Sequence, residues 1–124
     1  MKRALGVTIG LASTAVVGCF SERAATAPVE GVCNLPVEEG VPGSTLVVIS
    51  RFTFAPVDVR VRAGERVTWV NCDLEAHTST ADGGQWASGL LSPGDGFTQT
   101  FSTAGEFSYH CEPHPFMIGR VIVE

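Results

Sequence analysis

Apolar and polar side chains begin to alternate near residue 44 and continue to do so to the C-terminus. Val57, Val59 and Val61 alternate with Asp58, Arg60 and Arg62. A period of two sends one set to a buried face and the other to water, which predicts a strand. Thr45 to Ser50 is rich in β-branched residues, and Phe52 and Phe54 follow on alternate positions. Ala63-Gly64-Glu65 reads as a turn. Arg66 to Asn71 reads as the next strand, with Val67 and Trp69 on one face. Cys72 to Gly84 is polar and glycine-rich and reads as loop, and Gln85 to Leu91 has room for a short strand. Ser92 to Gly96 turns into an alternating stretch from Phe97 to Phe101. Thr103-Ala104-Gly105 then turns into a strand from Glu106 to Cys111, and Arg120 to Glu124 closes the chain. No stretch past residue 19 sustains a helical period. Short strands punctuated by Gly and Pro predict an all-β domain over residues 44–124, a Greek-key antiparallel β-sandwich.

The first residues follow a different pattern. Met1-Lys2-Arg3 is a short basic start, and Ala4 to Val17 is apolar and uncharged. That run is short for a stable membrane span and fits the apolar core of a secretory signal. Val16-Val17-Gly18-Cys19 matches a bacterial lipobox, in which the Cys becomes lipidated and forms the new N-terminus. The competing reading is ordinary cleavage after Ala25-Thr26-Ala27, where Pro28 fits poorly behind the cut. The lipobox reading makes residues 1–18 a lipoprotein-type signal peptide and residues 19–43, rich in Ala, Pro, Glu and Gly, a tether. It places the domain in the periplasm or cell envelope, held to a membrane through Cys19.

Charge narrows the partners. The chain carries a formal charge of −5, and loss of residues 1–18 would remove two more positive charges. An acidic surface argues against nucleic acid and against direct adhesion to anionic lipid. It suits a basic protein partner, although solubility alone would explain it. The expected state is a monomer.

Four cysteines are present: Cys19, Cys33, Cys72 and Cys111. With Cys19 lipidated, three remain, and an odd number in an oxidising compartment sets one apart for other chemistry. Cys111 lies in a metal-like motif, which leaves Cys33 and Cys72 as a disulfide pair or as two buried thiols.

That motif is Cys111-Glu112-Pro113-His114-Pro115-Phe116-Met117. A thiolate, an imidazole and a thioether at three-residue intervals make a soft, mixed N/S site. Two His, one Cys and a weak axial Met form the ligand set of blue-copper electron-transfer centres. A second His is required. His110 adjoins Cys111, so on a strand it faces the other way. His77, on the loop after the Arg66 to Asn71 strand, remains. Met117 is the only Met outside the signal, and Pro113 and Pro115 stiffen the loop about His114. Phe107, Tyr109 and Cys111 share a strand face, which puts the sulfur at the edge of the core. A lone Cys-x-x-His also occurs as half a structural zinc site, but such a site wants a fourth Cys or His where Met117 stands. Trp69 and Trp86 read as core anchors rather than electron relays.

The 111–117 loop resembles that of the amicyanins, among the plastocyanin/azurin-like cupredoxins. The resemblance runs over roughly residues 45 to 124 and includes Phe54-Ala55-Pro56, Gly64 to Asn71, His77-Thr78, Ser88-Gly89, Pro93-Gly94, Phe97, Gly105 and Met117 to Val121. It implies one copper held by His77, Cys111, His114 and Met117. It also implies single-electron transfer between a donor and an acceptor protein through the edge of His114, and no enzymatic activity. A copper-delivery protein is the rival reading, but such proteins favour open Met-rich or His-rich segments. One departure stands out. Many relatives have Asn after the first ligand His, and its side chain ties the two ligand loops together. Here Thr78 keeps the backbone N–H for the Cys sulfur but has no carboxamide, which leaves the side-chain tie open.

Overall fold

The computed structural model describes Cys33 and residues 43–124. The signal peptide and the tether expected over residues 1–43 otherwise lie outside the described residues. Eight strands form: β1 (Ser44–Ser50), β2 (Thr53–Ala55), β3 (Asp58–Val61), β4 (Arg66–Asn71), β5 (Thr80–Ala81), β6 (Gly96–Thr100), β7 (Gly105–His110) and β8 (Ile118–Val123). They build two four-stranded sheets, in the orders β2-β1-β4-β6 and β3-β8-β7-β5.

The sandwich is as expected, but its sheets are mixed rather than purely antiparallel. Four of the six ladder pairings are antiparallel, whereas β1 runs parallel to β4 and β3 parallel to β8. The reason is connectivity. After the β1–β2 hairpin the chain crosses to the other sheet for β3 and returns for β4 in the direction of β1. Alternation along a strand records which face is buried, not which way the neighbour runs. Two local expectations also change. Residues 85–91 form only isolated bridges, Ala87 with Thr80 and Leu91 with His77. The loop after β4 contains the two-residue β5.

Alternation places Val47 and Ile49 of β1, Val59 and Val61 of β3, Val67 and Trp69 of β4, and Val121 and Val123 of β8 in one core. Trp69 lies at its centre, with ring centroids 5.4 Å from Tyr109, 5.7 Å from Trp86 and 5.9 Å from Phe97. Both tryptophans are therefore core residues. Tyr109 also meets Phe54 edge-on at 4.7 Å. Burial pushes the Tyr109 phenol up to about 12, so it stays neutral within the core.

Strand β1 is apolar on both faces. Leu46 and Val48 point away from the core and pack with Val70 against the Cys33–Cys72 disulfide. The expected pairing of these cysteines thus forms, and it covers apolar surface that the sandwich leaves outside. Closing a loop of 39 residues constrains the unfolded chain by about 4 kcal/mol on a chain-entropy account.

Strands β7 and β8 pair along their full length and lead into and out of the 111–117 loop. At their junction Tyr109 pairs with Gly119 and fills the space a side chain would take. A Cβ on Gly119 would overlap Tyr109 Cζ. Gly119→Ala is therefore expected to destabilise the domain by about 1–3 kcal/mol through overpacking. Denaturant unfolding checks this, and Tyr109→Phe in the same background should not relieve it, because the ring carbon itself is in the way.

Candidate metal centre

The first loop of the site hangs from the end of β4. Asn71 is fully buried there. Its Nδ2 donates to the carbonyls of Glu75 (2.8 Å) and Leu91 (2.9 Å), and its Oδ1 accepts the Asp73 N–H (3.0 Å). These bonds wind the chain tightly, and His77 emerges with its N–H and C=O both paired to Leu91. The His77 side chain is 0% exposed.

The second loop closes on itself between β7 and β8. The Cys111 N–H donates to the Met117 carbonyl (3.1 Å), and the Met117 N–H to the His114 carbonyl (2.9 Å). Cys111 and Met117 are buried, and His114 is half-buried between the exposed Pro113 and Pro115.

The two loops bring three donors together. Cys111 Sγ lies 3.6 Å from His77 Nδ1 and 3.8 Å from His114 Nδ1, and the two Nδ1 atoms are 3.2 Å apart. All three atoms lie within 4.8 Å of one another. An ion at the usual nitrogen and sulfur bond lengths of about 2.0–2.3 Å wants trigonal donors about 3.5–3.8 Å apart, so the cluster fits one metal ion. The donor set is soft enough for copper. Met117 is buried in the same core cluster as Cys111. His110 projects away from this cluster and pairs with Asp82, as alternation along β7 requires.

Thr78 resolves the open question about the tie between the loops. Its N–H donates to Cys111 Sγ at 3.3 Å, and its Oγ1 accepts the Glu112 N–H at 2.8 Å. A second hydroxyl, that of Thr80, lies 2.9 Å from the same Oγ1. The hydroxyl thus does the bridging work of the carboxamide found in many relatives. Behind it, Ser79 holds the Trp86 indole N–H (2.9 Å), and its own N–H donates to Ser88 Oγ (2.8 Å).

Two further residues shape the site and escaped the sequence reading. Asp73 Oδ2 lies 2.8 Å from His77 Nε2. A carboxylate accepts, so the imidazole donates from Nε2 and its Nδ1 lone pair faces the cluster. Burial raises the Asp73 carboxyl, but the amides of Phe52 and Arg51 and the contacts with His77 outweigh this and hold it below the ordinary carboxylate value. Phe52 packs edge-on against both imidazoles, at centroid distances of 5.2 Å from His77 and 5.0 Å from His114. A carboxylate four residues before a ligand-type His was the available sign of Asp73. Nothing in the sequence marked Phe52 beyond its place in the alternation.

Comparison with known proteins decides the family. Residues 43–124 match the copper binding proteins of the plastocyanin/azurin family. The chain belongs to that family. The chain is 34% identical to amicyanin-alpha of Methylorubrum extorquens over 119 residues, covering 92% of this chain and 98% of that protein. It is 29% identical to the amicyanin of Paracoccus denitrificans, covering 92% and 88%. A solved reduced amicyanin with a tryptophan-to-tyrosine substitution is similar in fold, with a TM-score of 0.65 at 30% identity over 69% of this chain and 87% of that one. Family membership and the His–Cys–His cluster together support one copper per chain.

Thr78→Val removes the acceptor for the Glu112 N–H while keeping the shape of the side chain. It is expected to cost about 1–3 kcal/mol in denaturant unfolding, the penalty of a partly buried unpaired amide. Thr78→Ser should stay close to wild type.

Proposed function

We propose that the chain transfers single electrons between two redox proteins through one type 1 copper held by His77, Cys111, His114 and Met117. The observation that carries this reading is the meeting of the Cys111, His77 and His114 donor atoms within 4.8 Å at the end of a rigid sandwich. When bound, copper would supply the one-electron couple between its +1 and +2 states. The chain's own residues do the rest. Full burial of His77 and Cys111 keeps water from the donors. The Thr78 N–H supports negative charge on the sulfur. The Asn71, Thr78 and Met117 hydrogen bonds hold the donors in one arrangement, so a change of charge requires little movement.

His114 offers the way out. It is the only half-buried member of the cluster, and its ring lies 6.0 Å from that of Phe116, which is 70% exposed. Electrons enter and leave through this edge, where Pro113, Pro115 and Phe116 give a partner an apolar seat. The protein acts in the cell envelope after export directed by residues 1–18. Lipidated Cys19 anchors it, and the chain between Cys19 and Cys33 gives a reach on the order of a few tens of ångströms.

Addition of Cu(II) to the metal-free protein is expected to produce the intense blue colour of a copper–thiolate bond in a one-to-one ratio. Cys111→Ala should abolish the colour, and a colourless Cu(II) form of the unaltered protein would sink the proposal. The anchor has its own check. Cells fed a labelled fatty acid should incorporate it into the full chain, and Cys19→Ala should release the protein from the membrane fraction.

A further inference from the structure

The hairpin joining β1 to β2 turns on Arg51 and Phe52, whose φ angles are 53° and 55°. Both lie in the left-handed region, which a two-residue hairpin turn demands and which Gly or Asn normally fills. A non-glycine residue held there costs on the order of 1–3 kcal/mol and persists only where its surroundings enforce it. Here the enforcing group is Asp73. Its Oδ1 accepts the Arg51 N–H at 2.6 Å and its Oδ2 the Phe52 N–H at 2.9 Å. The same Oδ2 takes the His77 Nε2–H. Asp73 is itself anchored by its N–H to Asn71 Oδ1. Three N–H groups converging on one carboxylate match an acceptor-only anion. The turn so held delivers Phe52 edge-on to the two imidazoles.

On the copper reading above, we infer that Asp73 is a positioning residue: one carboxylate fixes the tautomer and ring plane of His77 and locks the turn that seats Phe52 against both ligand imidazoles. An anionic partner on Nε2–H also makes the imidazole a stronger donor at Nδ1. A stronger donor favours the dipositive over the monopositive ion, so Asp73 lowers the reduction potential of the centre.

The test compares the copper-loaded full chain with three variants. Asp73→Asn keeps the size and loses the charge. It is expected to keep the blue colour and to shift the relative affinity about tenfold towards Cu(I), a rise in potential of about 59 mV for a one-electron couple. Asp73→Glu should restore most of the wild-type potential. Glu75→Gln removes a carboxylate from an exposed position on the same loop and should leave the potential where it was. An Asp73→Asn potential equal to wild type, or an equal shift in Glu75→Gln, overturns the inference. A measurement on the unaltered protein covers the case in which Asp73→Asn does not fold. In the diamagnetic Cu(I) form, the His77 Nε2–H proton should persist in water and exchange far more slowly than that of His114, and equal exchange overturns the inference. Failure of the unaltered protein to turn blue is a separate result, and it removes the copper reading itself.

Discussion

A single metal ion shared by two loops needs donors from two distant stretches of chain to meet at one point and stay there. In this protein the constraint is met at Thr78. Its amide reaches the Cys111 sulfur and its hydroxyl holds the Glu112 amide, so one residue joins the loop after β4 to the loop after β7. The sandwich brings that residue to that place. The aromatic core around Trp69 fixes the separation of the sheets. The buried Asn71 winds the first loop, and the β7–β8 ladder presents the second.

How much of this could be read from the sequence follows from the range of each interaction. Cys111, His114 and Met117 are close in sequence, so their spacing alone shows a single loop. His77 was reached by elimination, because adjacency to Cys111 turns His110 to the other face. The strands showed themselves through alternation wherever one face is buried and the other wet. The parallel pairings did not, because strand direction depends on crossovers between sheets. Strand β5 was hidden because it is only two residues long, too short for alternation to declare it. Thr78 was seen, but its role was not, since a hydroxyl can replace a carboxamide only if the donating amide lies within hydrogen-bond reach, and sequence does not carry that distance.

Asp73 and Phe52 teach a related point. Both lie outside the donor set, yet each contacts His77. The contact between them crosses from one hairpin to another loop, so no local pattern announces it. The left-handed turn at Arg51 and Phe52 is a departure from local backbone preference. Such departures tend to mark places where the surroundings of a site override the chain's own inclinations. Here the overriding group is the carboxylate that also reaches the ligand-type imidazole.

The Cys33–Cys72 bridge bears on how the domain carries mechanical load. Cys72 directly follows β4 and directly precedes Asp73. Residues 34–43 and β1 belong to the closed covalent ring, so tension from the N-terminal side of Cys33 enters the fold at Cys72 and bypasses Ser44. A domain pulled through its N-terminal segment is therefore gripped at the end of its central strand, beside the loop that bears His77. Strand β1 is then spared from being peeled away, and the point of grip sits at the donor end of the sandwich.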